Sequence, residues 1–470
     1  MPLAARAVPL LGSPHSGHRP SRPSSYNGGV NSRRQFLSLL AAAPLAAASP
    51  QHWPQFRGAD SLGTSANDPR LPESWSATEN VLWKTPLPGM AWASPVIWGD
   101  RAFLTNVASE GQVEAVKKGL YFGGNRPEIS TDPHRWSAVG VDFNTGEIAW
   151  ETELRRGTPP TPRHLKNSYG SETPVTDGER VYAHFGYLAT WCLDMDGKVL
   201  WKRDWKPYKV RNDWGTAASP VLHEGRLYLV NDNEERSTLT CMDKLNGKTI
   251  WEVERDEGSN WSTPFVWQND LRTEVVTTGT GKVRSYDLDG KLLWELGGMS
   301  SIVIPMPFAG HGMLYIASGY VGDQKRPVFA IRPGAAGDIS LQDGQTENDY
   351  IAWHQPQAAP YNPSPLLYKD LYYTLYDRGF LTCHDAVSGE EVYGKQRFEA
   401  GANAFTASPW AYNDRIFCLS EDGDCFVAEH GRDFRLVGKN SIGELCMSTP
   451  AISQGSLLLR TAENLYRIGG

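Results

Sequence analysis

"YDLDGKLLWEL" occupies residues 286–296. It reads as the end of one strand, an Asp-Gly turn and a second strand built around a tryptophan. The phrase returns as "LDMDGKVLWKR" at 193–203, "VDFNTGEIAWE" at 141–151, "MDKLNGKTIWE" at 242–252 and "HDAVSGEEVYG" at 384–394. A turn with Asn-Gly, Asp-Gly or Thr-Gly supplies the positive φ of a tight hairpin. Read outward, the chain is therefore a series of short antiparallel strands.

A second phrase alternates with the first: a small or hydroxyl residue, a proline, an apolar strand, a Gly or Asp turn and another apolar strand. Its prolines are Pro95, Pro174, Pro220, Pro264, Pro307, Pro365, Pro409 and Pro450. The strands of the first phrase also number eight, centred on Trp83, Trp150, Trp201, Trp251, Trp294, Trp353, Tyr393 and Val437. Repeats of roughly 40 to 60 residues are those of propeller blades. The fold class expected is all-β: an eight-bladed β-propeller of four-stranded antiparallel blades. The proline phrase supplies the innermost strand and a hairpin, and the tryptophan strand lies outermost. The indole is expected to cover the flank of the next blade, where one aromatic buries ~150–250 Å².

Phase fixes the closure. The repeat region opens with a tryptophan strand, "NVLWKTP", and ends with a proline phrase, "STPAISQGSLLLRTAENLYRI". The two fragments are complementary. The Trp83 strand (79–86) is expected to complete the last blade beside 447–468, leaving no exposed sheet edge.

The organisation expected is a leader at 1–48, a wrapping segment at 49–78 and the propeller at 79–470. The first 48 residues hold five Arg and no acid. "NSRRQFLSLLAAAPLAAAS" carries Arg33 and Arg34, then a short apolar run ending in alanines, the pattern of a twin-arginine export signal. No Cys follows the run, so no lipoprotein anchor is expected. The protein is placed in the periplasm or outside the cell, without a membrane span. Trp53, Phe56 and Trp75 are expected to pin the wrapping segment across the propeller. An insertion at about 107–134 in the first blade contains "EGQVEAVKKGLYFGG" (110–124), read as a short helix. Residues 338–348 read as a polar surface loop.

Without the leader, 53 acids face 41 bases, a formal charge of −12. Such a surface repels nucleic acid and anionic lipid. Cys192, Cys241 and Cys383 share one repeat position, so buried thiols are expected rather than disulfides. Cys418 and Cys425 flank one turn and are read as diagonal neighbours on one face, which leaves a bond between them open.

The repeats, "D-x-x-T/D/N-G-K-x-x-W" beside "S/T-P-V-x-x-G-x-L-Y", resemble those of the pyrroloquinoline-quinone (PQQ)-like β-propellers. The resemblance covers 79–470 and implies two kinds of relative. One is the quinoprotein alcohol dehydrogenases, which hold PQQ and Ca²⁺ in the funnel. The other is the propeller lipoprotein of outer-membrane protein assembly, which binds proteins and catalyses nothing.

The loops from each tryptophan strand to the next proline phrase all open on one face. They present Trp92; His164, Asn167, Tyr169 and Glu172; Arg211, Asn212, Asp213 and Trp214; Asn260 and Trp261; Tyr361 and Asn362; and Phe405. Amides beside aromatics suit a flat polar ligand such as a quinone or a sugar. The same residues also suit a structural role, with amides capping loops and indoles packing on the neighbouring blade. Glu172, Asp256 and Asn260 are the candidates for a Ca²⁺ site, on loop position alone. The adjacent cysteine pair of many quinoprotein dehydrogenases is absent, and so is a haem attachment motif. "DMDG", "DLDG" and "EDGD" lack the spacing of an EF-hand. No G-x-S-x-G occurs, and no histidine pair has metal-ligand spacing.

The reading is a monomeric, non-catalytic binding or scaffold protein of the cell envelope, with no resident cofactor or metal and no catalytic residue. Its partner is an envelope protein or a small polar or aromatic ligand at the funnel. A PQQ- and Ca²⁺-dependent dehydrogenase and a carbohydrate-binding propeller are the alternatives.

Overall fold

The computed structural model describes residues 51–113, 116–120 and 128–470. The leader at 1–48 lies outside them, as do 114–115 and 121–127 of the expected short helix. The described residues of that stretch are not helical, and the sole helical element among the described residues is the 3₁₀ turn Arg211–Asp213. The described residues form one compact unit.

Eight antiparallel blades make up that unit. Blade 1 spans 96–157, blade 2 175–204, blade 3 221–255, blade 4 265–296, blade 5 308–355, blade 6 366–397 and blade 7 410–441. Blade 8 combines 451–469 with 81–86, in the order expected from the repeat phase. Its closing ladder pairs Val81 with Ile468 and Pro86 with Asn464. Blades 1 and 4 each gain a fifth strand, His52–Trp53 and Gly337–Asp338.

The Asp-Gly phrase proves to be a docking saddle. The Asp side chain caps its own turn; Asp142 Oδ1, for example, accepts from the backbone N–H of Asn144 and Thr145, each at 2.9 Å. The indole of the preceding blade then donates to the carbonyl of the residue after that Asp. Trp83 donates to Phe143 O (2.9 Å), Trp150 to Met195 O (3.0 Å) and Trp201 to Lys244 O (3.0 Å). Trp251 donates to Leu288 O (2.8 Å) and Trp353 to Ala386 O (3.0 Å). The ring lies directly on the turn glycine: a Cβ on Gly197 would stand 2.5 Å from the Trp150 ring. Glycine is thus required twice over, for φ of +86° and for the close approach.

Three junctions depart from this rule. Trp294 is fully buried, but its N–H goes to Glu274 Oε2 of its own blade at 2.7 Å. The facing turn of blade 5 offers "IRPG" with no Asp saddle. Residues 335–339, at the start of the expected surface loop, cover Trp294: Gly337–Asp338 pairs with the Trp294 strand, and Ala335 and Ile339 are buried in the same cluster, while 342–347 are exposed. Tyr393 meets Phe434 edge-on at 5.9 Å. Val437 is 44% exposed and docks on nothing comparable. At that junction the turn of blade 8 is replaced by the chain ends, and the N-terminal segment does the sealing. The backbone N–H of Trp75 donates to Asn440 Oδ1 (3.1 Å), its ring stacks on Phe417 at 5.9 Å, and Tyr412 donates to Pro72 O.

That segment begins beside blade 1, where His52 pairs with Trp98, and then crosses blade 2 with Thr176 N donating to Pro54 O. Phe56 packs with the cluster of blades 4 and 5, Arg57 lies over the Phe308 ring, and Thr64 bridges to Ala411 of blade 7. It therefore runs across the axis and floors the central channel.

A polar belt encircles that channel. At six of the eight blade junctions the residue before the repeat proline donates its backbone N–H to the hydroxyl at the same position one blade on. The bonds run Ser94 to Thr173 (3.0 Å), Thr173 to Ser219 (2.9 Å) and Ser219 to Thr263 (3.0 Å). They resume from Met306 to Ser364 (3.1 Å), Ser364 to Ser408 (2.9 Å) and Ser408 to Thr449 (2.9 Å). Met306, which has no hydroxyl, interrupts the belt between blades 4 and 5, and it is open again between blades 8 and 1, where Ser94 Oγ accepts no bond.

All six cysteines are free and buried. Cys418 and Cys425 do not share a face. Leu419 pairs with Cys425 and Cys418 with Phe426, so the two thiols point to opposite sides and enter different core clusters. The alternation of a strand forbids the diagonal bond.

Replacing Gly197 by Ala should lower the unfolding free energy by at least ~1–3 kcal/mol, through the left-handed φ and the clash with Trp150. Val437→Ala, with no saddle to occupy, should stay within ~0.5 kcal/mol. Denaturant midpoints of the two variants check both.

Candidate functional site

Along the axis, above Phe56, lies a cavity of about 230 Å³. Its lower wall is the hydroxyl belt. Its upper wall is aromatic: Trp92, Trp214, Trp261, Tyr320 and Tyr361. Trp214 and Trp261 are tilted 38° with centroids 5.7 Å apart, and His164 meets Trp214 edge-on at 5.2 Å. Tyr320 and Tyr361 form a second edge-on pair at 5.3 Å.

The loops bearing these rings are tied to each other. Asn167 Nδ2 donates to Trp214 O (2.9 Å) and Thr216 O (3.2 Å), while its Oδ1 accepts from Ser168 N (2.8 Å) and Ser171 Oγ (2.6 Å). Trp261 Nε1 donates to Gly215 O at 2.7 Å, and Trp92 Nε1 to Lys166 O at 3.1 Å.

Charge at the mouth is cancelled internally. Lys166, from the loop between blades 1 and 2, reaches Glu421 of blade 7 at 2.5 Å. Glu421, fully buried, also accepts from Thr406 Oγ1 (2.7 Å) and Gly119 N (2.8 Å). Lys118 pairs with Asp422 at 2.5 Å. Residues 118–120 of the blade 1 insertion are thus held across the funnel, and Leu120 lines it. Burial raises the Asp377 carboxyl above its ordinary range, against the opposing pull of Lys166 and hydrogen bonds from Asn362. Burial, then Lys166 and Arg163, lower His164 to about 4, so its ring is neutral near pH 7.

Of the residues singled out in the sequence, the cavity brings together Trp92, His164, Asn167, Trp214, Trp261, Tyr361 and Asn362. The others lie elsewhere. Tyr169 packs under the blade 1 insertion with Trp136 and Tyr187. Glu172 is buried, taking Gly186 N at 3.0 Å and the Thr216 hydroxyl; burial raises its carboxyl. Arg211, Asn212 and Asp213 form the 3₁₀ turn, with Arg211 Nη1 donating to Ser301 O at 2.7 Å. Asn260 donates to Asp232, which is itself paired with the buried Arg255 at 2.9 Å. Phe405 is core, against Phe398 and Phe426.

The sequence reading passed over Lys166, Thr406, Glu421, Leu120 and Tyr320. Lys166 stands inside "HLKNSYGSE", between His164 and Asn167. A search for amides beside aromatics does not stop at a lysine. Glu421, Leu120 and Tyr320 sit on loops joining second to third strands. These loops open on the same face, because strand directions alternate within a blade.

The same geometry tests the calcium and quinone expectation. Ca²⁺ takes six to eight oxygens, carboxylates among them. Glu172 is engaged through Oε1 while its buried Oε2 has no partner, Asn260 donates to Asp232, and among the described residues no group of three His, Cys, Asp or Glu is placed to hold a metal. The donor set does not fit the ion.

Residues 191–334 match the model of a family described as outer membrane protein assembly factor BamB. This is the PQQ-like repeat family that the sequence motifs resemble. Among solved structures, BamB from Moraxella catarrhalis superposes with a TM-score of 0.51 at 11% identity, covering 78% of this chain and 99% of that one. The quinohemoprotein alcohol dehydrogenase of Comamonas testosteroni gives 0.55 at 12% identity, over 90% and 81%. Quinohemoprotein alcohol dehydrogenase ADHIIG of Pseudomonas putida HK5 gives 0.55 at 10%, over 90% and 80%. Likeness at this identity is likeness of fold. No curated protein sequence matches the chain.

The histidines set a pH dependence. His164 and the buried His184, lowered to about 3, stay neutral in the folded chain while the unfolded chain takes up protons from pH ~6.5 downward. Stability is therefore full above 6.5 and falls as the pH drops toward 4. Glu444, held down to about 2 by hydrogen bonds from Thr461, Tyr466 and Asn464, adds its loss only below its ordinary range near 4.5. Denaturant titrations at pH 7, 6 and 5 should show the fall, and His164→Phe should shallow it.

Proposed function

We propose that this protein is a non-catalytic binding protein of the cell envelope that takes its ligand in the funnel. The observation that carries this reading is the funnel's composition: aromatic faces above, hydroxyls below, and charged side chains spent on one another. General acid–base chemistry needs a titratable group poised toward a substrate. Lys166 and Glu421 are paired, His164 is held neutral, and Asp377 is satisfied by Asn362 of the loop joining blades 5 and 6. What remains available is stacking and hydrogen bonding, the means of recognition.

A scaffold role toward an envelope protein is the second reading, favoured by the match of 191–334 to a family described as an outer membrane protein assembly factor. The rim would then carry the contact. The quinoprotein reading draws on the two dehydrogenase folds alone, and the donor set speaks against it. Export rests on Arg33 and Arg34 ahead of the apolar run. No helix among the described residues is long and apolar enough to cross a membrane.

Three measurements test these readings. PQQ with Ca²⁺ should yield no dye-linked alcohol oxidation; turnover would overthrow the non-catalytic reading. Trp214→Ala should abolish the tryptophan-fluorescence response to small ligands that the wild-type chain shows, whereas a protein partner captured equally well by both forms would move the contact to the rim. Replacing Arg33 and Arg34 together by Lys should leave a reporter fusion in the cytoplasm, and unchanged export would remove the twin-arginine assignment.

A further inference from the structure

The hydroxyl belt has a chemical consequence beyond holding blades together. Each bond in it uses a hydroxyl oxygen as acceptor. Among the described residues none of the seven belt hydroxyls donates its own proton to a protein acceptor, and Ser94 Oγ has no partner at all. All seven line the cavity. An O–H whose oxygen already accepts a hydrogen bond is polarised into a better donor. The lower funnel is therefore a collar of unspent donors, and it asks for oxygen acceptors. Above it, the Trp214 ring is only half-buried, and among the described residues its N–H finds no acceptor.

The charge pattern narrows the class. A carboxylate entering the cavity would find Lys166 already taken by Glu421 at 2.5 Å. An ammonium would find Glu421 filled by Lys166, Thr406 and Gly119, and Asp377 filled by the Asn362 side chain and backbone. A neutral ligand meets neither obstacle. The space of about 230 Å³ lies below the ~300–1,000 Å³ of sites for drug-sized molecules. It suits a single ring, not an extended chain.

We propose that the funnel seats the ring of a neutral sugar, with its C–H face on Trp214 and one oxygen-bearing edge on the hydroxyl collar. This deepens the ligand-binding reading and rests on it. A pyranose offers both features at once: an apolar face for an indole, and equatorial oxygens that accept from donors arranged in a ring. Met306 is the gap in the collar, so it marks the side on which the ring's least polar edge lies.

The test uses the full chain, tryptophan fluorescence and calorimetry. The probes are glucose, N-acetylglucosamine, maltose and cellobiose, with glucuronate and glucosamine as charged counterparts and PQQ as the competing flat ligand. At least one neutral sugar should bind at least ten-fold tighter than its charged counterpart. Trp214→Ala should weaken it about ten-fold. Ser219→Ala should weaken it about five-fold, the loss of one hydrogen bond, while Ser219→Thr retains it. Because Ser219 also serves the belt, Ser219→Ala is read only with its thermal midpoint. Met306→Thr, which supplies the eighth hydroxyl, gives an independent arm and should change sugar affinity at least two-fold. If PQQ binds and no neutral sugar does, the sugar assignment falls and ligand binding in the funnel stands. If no probe binds and Trp214→Ala is silent, both fall.

Discussion

One contact is repeated until it closes a ring: an indole lying flat on the glycine of the next blade's turn, with its N–H on the carbonyl beside it. Apart from the short Gly337–Asp338 pairing between blades 4 and 5, blades share no ladder of main-chain hydrogen bonds with their neighbours, so side chains must hold them. The indole does this with apolar area and one directed bond at once. Five junctions use the saddle in full, from Trp83 on the turn at Gly146 to Trp353 on that at Gly389. Residues two positions on reinforce it; Thr85 and Thr152 donate to the carbonyls of Gly146 and Gly197, each at 2.6 Å.

Where the saddle is missing, the chain finds another cover, and each substitution consumes an otherwise unexplained stretch. Blade 5 lacks the Asp, so its insertion folds back over Trp294 and adds a parallel strand. Blade 8 lacks the turn because the chain ends there, so Pro72 and Trp75 are brought in from the N-terminal side. That solution has a second effect. The segment runs from blade 1 to blade 7 by way of blades 2, 4 and 5, across the axis, and Phe56 closes the channel from below. A pore becomes a blind funnel as a by-product of sealing a seam.

Repetition decided what could be read from the sequence. Blade number, strand order, the closing strand and the saddle all recur, so every copy corrects the reading of the others. The exceptions do not recur, and there the reading was incomplete: Trp294 was grouped with indoles it does not resemble, and residues 338–348, exposed at 342–347 as a surface loop, begin with a short strand and the buried Ile339. Cys418 and Cys425 show a different limit. Their spacing across a turn looks like a neighbour pair until the register, Leu419 opposite Cys425, sets them on opposite faces. The site was half legible. Loop aromatics could be assigned to the funnel face from phase alone, but which of them turn inward depends on packing. Phe405 and Tyr169 satisfy core clusters, whereas Trp92 and Trp214 face the cavity. Lys166 to Glu421 joins loops 255 positions apart and leaves no local trace.

The placement of charge explains why a funnel with so many polar side chains is suited to a neutral guest. A buried ion is tolerated when its partner and hydrogen bonds replace the water it has lost. Glu421 meets that condition with three donors from three separate loops, and in doing so fixes the roof of the cavity. The ions near the mouth are therefore structural, and their fields largely cancel. What the interior offers a ligand is dipolar: indole and phenol faces around the wall and hydroxyl protons below. At six positions the hydroxyl before the proline thus serves two ends with its two halves. Its oxygen binds the neighbouring blade, and its proton is left to whatever occupies the axis.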